Sequence, residues 1–244
     1  MDTFSGYMKN DAQLPSITPL VAPFGQVTQV LMDDKMECWK QSSDLAIVWT
    51  RPEGVIDSFS KALNFNSITI KEVLIDVDTY SDCLARLAER VKIIFVPTWS
   101  LITGMAGYGM LERKPGMGLA DLLARMNLRL AENLEKFSNV FVLDADRWMQ
   151  VAGQEAFNPK LWYMGKIPFG SPVFKQAISE IKSALTGLRG GAKKIIFVDL
   201  DDTLWGGTVG EEGWKNLKLG GHDPIGEAFS DFQRALKSMS RRGI

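Results

Sequence analysis

Cysteine and histidine are scarce in this 244-residue chain, which contains only Cys38, Cys83 and His222. Two cysteines without paired spacing exclude a disulfide framework and a zinc-finger type of site, and they indicate a reducing, cytoplasmic setting. The histidine lies outside residues 1–188, so that part of the chain cannot contain a Ser-His-Asp triad. His222 stands in the string GGHDP before a helical pattern, which predicts a turn residue.

An excess of either charge is also lacking, since 28 Lys and Arg residues are balanced by 29 Asp and Glu residues. No overall field therefore favours nucleic acid or an anionic membrane as a partner. The start of the chain lacks an apolar run of signal-peptide length, so secretion is not expected. Residues 93–111 carry no charge, but their glycines and Pro97 favour a buried strand and a glycine-rich loop over a membrane segment.

Strand-like and helical patterns alternate in the first part of the chain. Continuously apolar runs predict strands buried on both faces at residues 45–50, 92–97 and 139–144. Apolar residues at spacings of three and four predict helices at residues 68–91, 118–137 and 172–188. Because parallel strands need long connections, this order predicts an α/β domain with a parallel sheet.

A domain boundary is predicted after residue 188, where glycines end the last of these helices. Residues 189–244 then form the second predicted domain, with a fourth buried strand at 195–200, a turn-rich stretch, and a helix at 225–240. One strand and one helix cannot bury a stable core, so we expect this segment to be the incomplete beginning of a domain.

The string IIFVDLDDTLWGG at residues 195–207 carries the clearest chemical signal. Side chains alternate along a strand, so Asp199 and Asp201 are predicted to project to the same side. Two carboxylates this close either bind a hard cation such as Mg²⁺ or keep one proton between them. Both states suit phosphate chemistry, with Asp199 as nucleophile, Asp201 as general acid and base, and the Thr203 hydroxyl bonded to a phosphoryl oxygen. The alternative is that these aspartates serve only a turn or a helix cap.

Asp199, Asp201 and Thr203 fill the three defining positions of D-x-D-x-[TV], so the string resembles the first motif of the haloacid dehalogenase superfamily. The longer string DLDDTLWGGTVGEEG resembles the FkbH-like branch in particular. This resemblance implies a Rossmann-like phosphatase domain that uses Mg²⁺ held by Asp199 and Asp201. It also implies a phosphorylated three-carbon acid as substrate, with transfer of the glyceryl unit to an acyl carrier protein. Other relatives belong to capsule or surface-polysaccharide pathways, and the residues do not decide between phosphatase and transferase.

Members of that branch carry an amino-terminal domain similar in fold to SGNH hydrolases and flavodoxin. Residues 20–188 resemble it in arrangement, with PFGQ at 23–26 and NPKLWYMGKIPF at 158–169 as matching strings. Residues 158–161 stand where an SGNH enzyme carries its Asp and His, and both are absent. We therefore expect a noncatalytic or ligand-holding first domain, with Trp162 and Tyr163 in core packing more readily than in an exposed binding surface. The glycines of residues 104–110 do not have the dinucleotide-binding spacing and predict a flexible connection.

The family site also uses a Ser or Thr, a Lys and further acidic residues that we cannot assign within the 244 residues. We therefore expect little turnover from these residues alone. The alternative function is a binding or scaffold module in polyketide or capsule biosynthesis, in which the aspartate motif is inactive.

Overall fold

The computed structural model describes residues 2–101, 107–221 and 223–241. Its contacts divide the chain into two compact units, Met1–Leu185 and Thr186–Ile244, called here the first and the second unit. The predicted glycine-rich connection lies partly, and His222 wholly, outside the described residues.

Short strands alternate with helices through the first unit. The strands are β1 (Leu45–Ile47), β2 (Ile93–Pro97) and β3 (Val140–Leu143). The helices assigned to it are α1 (Asp2–Asn10), α2 (Val27–Met32), α3 (Asp57–Leu63), α4 (Ile70–Ala88), α5 (Leu119–Leu134), α6 (Ala145–Ala152), α7 (Pro159–Gly165) and α8 (Ser171–Thr186). The second unit contains α9 (Val209–Glu212) and α10 (Pro224–Arg241).

The three strands form a parallel sheet, as the sequence predicted, and the structure shows their order to be β1-β2-β3. Leu45 lies beside Ile93, and Ile94 lies beside Val140. Helices α3 and α4 connect β1 to β2, and α5 connects β2 to β3, which gives each parallel pair the long crossover that it requires.

The sheet lies between two hydrophobic clusters, because alternate residues of a strand point to opposite faces. Ile94 and Val96 belong to the cluster formed with α3, α4 and α5. Phe95 belongs to the other cluster, formed with α1, α6 and α8. The first unit is therefore a sheet with helices packed on both faces.

Burial on both faces is confirmed only for the middle strand. β2 is buried except at its first residue, whereas β1 is half-buried throughout and β3 is buried only at Val140. The prediction of full burial for the outer two strands is wrong because each has a strand neighbour on one side only.

Side-chain hydrogen bonds define where α4 begins. Thr69 and Glu72 form a reciprocal capping box at the start of α4, since each side chain accepts a hydrogen bond from the other residue's backbone N–H.

A buried lysine connects α8 to the segment after α1. The ammonium of Lys182 on α8 donates to the backbone carbonyls of Asp11 and Gln13, at 3.1 and 2.5 Å. This lysine holds the segment that follows α1.

The strand predicted at residues 195–200 is not formed, so that prediction is wrong. Ile195 and Phe197 are 69% and 94% exposed. A strand is stabilised by hydrogen bonds to a neighbouring strand, and in the described part of the second unit the only bridges are the isolated pairs Asp201 with Trp205 and Gly206 with Lys218. The helix predicted at 225–240 is present as α10.

Across the described ranges, no helix combines the length and apolarity needed to cross a bilayer.

Candidate functional site

The predicted nucleophile Asp199 lies at the end of an exposed segment of the second unit that has no regular secondary structure. Its carboxylate is exposed to solvent, and its Oδ1 accepts a hydrogen bond of 2.9 Å from the backbone N–H of Leu200. This contact involves one carboxylate oxygen and a neighbouring residue. The position suits a group that has to meet a dissolved anion.

Asp201 is held more firmly than Asp199. Its Oδ1 accepts from the indole Nε1–H of Trp205 at 2.9 Å and from the backbone N–H of Val209 at 3.3 Å. The residue is half-buried and also forms a backbone bridge with Trp205. These contacts fix the carboxylate in a turn, where the sequence predicted a strand end.

Thr203 lies in the same turn and is half-buried. Its backbone N–H donates to the carbonyl of Leu200 at 3.3 Å, and the N–H of Leu204 donates to the same oxygen at 2.9 Å. The turn therefore brings Asp199, Asp201 and Thr203 into one short loop, although the strand on which their common orientation was predicted is not formed.

Asp202 has a structural role that the sequence reasoning did not assign. Its φ of 54° is in the left-handed region, and its Oδ1 accepts from the N–H of Gly207 at 2.7 Å. Aspartate and asparagine tolerate this region better than most other non-glycine residues. The run of three acidic residues in four positions is the only sequence signal for this role.

The loop is held by one contact from α10 and another from the segment that precedes α10. The Nε2 of Gln233 donates to the carbonyl of Leu204 at 2.6 Å. Gly206 exchanges backbone hydrogen bonds with Lys218, and a Cβ at position 206 would lie 2.8 Å from the ring of Phe229. A larger residue at this position would have to displace the side chains of Phe229 and Lys218.

The donor set at this loop consists of carboxylates. Searched over the described residues, the chain shows no group of three or more His, Cys, Asp or Glu residues placed to hold a metal ion. Mg²⁺ retains several waters and is commonly bound through one or two carboxylates together with substrate phosphate. Asp199 and Asp201 fit such a partial donor set in kind and number.

In the first unit, the string at residues 158–169 forms α7 and the segment after it. Asn158 caps this helix, because its Oδ1 accepts from the N–H groups of Lys160 and Leu161 at 3.0 and 3.4 Å. Trp162 is half-buried with the Arg51 guanidinium 4.4 Å from its ring centroid, whereas Tyr163 is 76% exposed. The prediction of core packing is therefore wrong for Tyr163, which projects from a short helix.

Both cysteines are free thiols. Cys83 lies buried in α4, and its Sγ–H donates to the carbonyl of Thr79 at 3.4 Å. Burial raises the pKa of this thiol, which disfavours the reactive thiolate.

No protein-family model and no curated protein matches the chain. Among solved structures, the chain is similar to the N-terminal part of the protein BF1531 from Bacteroides fragilis, which contains a phosphatase domain and was crystallised in complex with Mg. The two share 22% sequence identity with a TM-score of 0.81, over 99% of this chain and 63% of that one. This chain therefore has the fold of the corresponding part of BF1531 and spans 63% of that chain's length.

Proposed function

We propose that the chain belongs to a magnesium-dependent phosphatase of the haloacid dehalogenase type, with the loop at residues 199–203 as its reaction centre. The observation that carries this proposal is the arrangement of two aspartates in one turn, of which Asp199 is exposed and Asp201 is fixed by Trp205 and Val209. The likeness in fold to a phosphatase-containing, Mg-bound protein supports it.

In the proposed reaction, a carboxylate oxygen of Asp199 attacks the phosphorus of a phosphomonoester, and the bond from phosphorus to the substrate oxygen breaks. Asp201 gives its proton to that leaving oxygen, which departs as an alcohol. Asp201 then accepts a proton from water, whose oxygen attacks the phosphorus and releases phosphate from Asp199. The hydroxyl of Thr203 is proposed to donate to a phosphoryl oxygen.

When bound by Asp199, and by Asp201 once that residue has given up its proton, Mg²⁺ would neutralise charge on the phosphate and lower the repulsion between that anion and the nucleophile. Asp201 is suited to its own role because its indole and backbone donors fix its position while the substrate changes. Exposure of Asp199 leaves room for the substrate to approach.

The test is phosphate release from a phosphorylated three-carbon acid by the whole protein, with Mg²⁺ and with a chelator. Asp199→Asn is expected to abolish release, and Asp201→Asn to lower kcat by about 10²–10⁴-fold. Asp202→Asn is the matched control, because asparagine accepts the Gly207 hydrogen bond and tolerates a positive φ. Full activity of Asp199→Asn would end the assignment.

A binding measurement tests the same loop in the 244-residue chain without depending on turnover. Mg²⁺ is expected to shift the indole resonance of Trp205, which donates to Asp201. Asp199→Asn should weaken this response, and Asp202→Asn should leave it unchanged. If the Mg²⁺ concentration that gives half of the Trp205 shift is the same in wild type and in Asp199→Asn, the metal does not bind at the proposed centre.

The alternative is a binding or scaffold module with an inactive aspartate motif. It is favoured by the small number of carboxylates that the described residues bring to the loop. Under this alternative, partner binding should survive Asp199→Asn and should be lost when residues 1–185 are deleted. Phosphate release by the wild-type protein would argue against this alternative.

The proposal for this chain also includes several finer features. These are membership of the FkbH-like branch, an SGNH-like first domain with its boundary at residue 188, transfer of a glyceryl unit to an acyl carrier protein, and a role in polyketide or capsule biosynthesis. The two free cysteines support a cytoplasmic setting. An assay with the acyl phosphate of a three-carbon acid and a carrier protein separates phosphatase from transferase, since only a transferase passes the acyl group to the carrier thiol as phosphate leaves.

A further inference from the structure

The outward face of α7 presents two exposed apolar side chains between two lysines. Tyr163 and Met164 are 76% and 78% exposed. Lys160 precedes them by three and four positions, so these three residues share one face of the helix. The ammonium of Lys166 lies 5.9 Å from the ring centroid of Tyr163. Lys160, Tyr163, Met164 and Lys166 are called the α7 patch here. Tyrosine and methionine are enriched in protein–protein interfaces, so the patch has the composition of a docking surface.

The α7 patch is held in a fixed shape by the contacts around it. The Asn158 side chain caps the start of the helix, and at its end the N–H of Lys166 donates to the carbonyl of Trp162 at 2.9 Å. The half-buried Trp162 ring has the Arg51 guanidinium 4.4 Å and the Lys166 ammonium 5.0 Å from its centroid. A surface that is already ordered loses little conformational entropy when a partner binds.

The charge of the α7 patch is positive and is not balanced locally. Residues 156–171 contain two lysines and no aspartate or glutamate. Among the residues that the structure describes, neither Lys160 nor Lys166 forms an ion pair. Carboxylates of a partner can therefore reach both ammonium groups without first breaking an ion pair within the chain.

A lipid surface is the other class of partner that lysine and aromatic side chains suit. Helices that lie in a membrane interface combine a large apolar face with a polar face rich in lysine and arginine, whereas α7 has seven residues and one lysine. Even with Lys166 included, two lysines strengthen binding to an anionic membrane only about 30-fold. A membrane would also meet the surface around the patch, and the chain as a whole has a net charge of -1. The patch therefore favours a protein partner.

We propose that the α7 patch docks an acidic segment of a partner protein, with apolar side chains among its carboxylates. The carboxylates pair with Lys160 and Lys166, and the apolar side chains pack against Tyr163 and Met164. All four residues belong to the first unit, so docking does not require the phosphatase activity proposed for the second unit.

The probe is a blocked peptide of Glu-Leu-Leu-Glu repeats, titrated into the 244-residue chain while the indole N–H resonance of Trp162 is followed by NMR. A saturable shift is expected, which weakens as salt is added. A counterpart with Lys in place of Glu should bind at least about 10-fold more weakly, because it meets two like charges. Equal binding of the basic peptide would overturn the partner's charge. A Trp162 shift caused by vesicles of phosphatidylcholine and phosphatidylserine, without one from the acidic peptide, would overturn the protein partner.

Substitutions on the patch locate the binding. Tyr163→Ser should weaken the acidic peptide at least about 5-fold, as expected for a central aromatic contact. Lys160→Gln combined with Lys166→Asn should weaken it about 3- to 10-fold. Asparagine is chosen at position 166 because it tolerates the left-handed φ of 52° that ends the helix.

Lys136→Gln is the matched control. The ammonium of Lys136 also lies over an aromatic ring, 5.2 Å from the centroid of Phe137. Lys136 precedes β3, whereas Arg51, which contacts α7, follows β1, so the two lie at opposite edges of the parallel sheet. The control should bind the acidic peptide as wild type does. The proposal is overturned if the patch variants bind like this control, or if the acidic peptide gives no saturable shift.

Discussion

The side-chain amide of Asn127 bonds both backbone groups of Trp99, just after the end of β2, as a neighbouring strand would. Its removal should cost the first unit a large share of its stability. Its Oδ1 accepts from the backbone N–H of Trp99 at 2.9 Å, and its Nδ2 donates to the Trp99 carbonyl at 2.8 Å. Trp99 itself is buried. We therefore consider Asn127→Leu, which keeps the size of the side chain and removes both bonds.

Each backbone group left unsatisfied in a buried site costs about 1–3 kcal/mol. The two groups together would cost about 2–6 kcal/mol. Asn127 is half-buried, which allows water some access, so the lower half of this range applies. The expected loss in unfolding free energy is about 2–4 kcal/mol. With a urea m-value of about 2 kcal/mol/M, the midpoint should fall by about 1–2 M. Tryptophan fluorescence follows the transition, since five of the seven tryptophans lie in the first unit.

Asn64→Leu is the control for this change. The amide of Asn64 also bonds a backbone carbonyl, that of Ser60 at 2.8 Å, but the contact is exposed. Its unfolding free energy should stay within about 0.5 kcal/mol of wild type. If Asn127→Leu lies in the same range as this control, the backbone groups of Trp99 do not depend on the amide and the reasoning is refuted.

Three further outcomes are expected. Arg129 donates to the Asp78 carboxylate and lowers its pKa. That pair therefore stabilises the fold above the unfolded carboxyl pKa, and the gain is lost as the pH falls through the folded pKa. Asp78→Asn should cost about 0.5–1 kcal/mol at neutral pH and nothing near pH 2, measured by urea unfolding at both; an unchanged deficit in acid would exclude the ion pair. Lys182→Met should destabilise the first unit by about 2 kcal/mol and accelerate hydrogen exchange in α1, whereas unaltered exchange would show that the lysine does not hold the N-terminal segment. Iodoacetamide should modify Cys38 before the buried Cys83 in the native chain and both alike in urea; the reverse order would contradict the burial of Cys83.

The first unit could be predicted well from its sequence because its elements are amphipathic or apolar over their whole length. The apolar spacing in residues 68–91 predicts α4, which the capping box of Thr69 and Glu72 then delimits. The strand runs were recognised for the same reason. Their unequal burial was not, because the position of a strand in the sheet depends on pairing and not on the strand's own residues.

The second unit shows the opposite case. Residues 195–200 have the composition of a strand, but a strand also needs a neighbour, and sequence pattern carries no information on whether one is present. The role of Asp202 was missed for a related reason. A left-handed φ is a property of the folded backbone around a residue.

The apolar run at residues 195–198 also governs how the chain behaves at high concentration. Exposed β-branched and aromatic side chains without proline are a template for edge-to-edge aggregation. Lys193 and Lys194 precede the run and Asp199, Asp201 and Asp202 follow it, so charges of one sign flank each end as gatekeepers. Parallel, in-register pairing of two copies places Lys beside Lys and Asp beside Asp, and the resulting repulsion disfavours that pairing at low ionic strength. Antiparallel pairing places Lys beside Asp, so edge-to-edge contact of two copies is restricted by charge to the antiparallel arrangement.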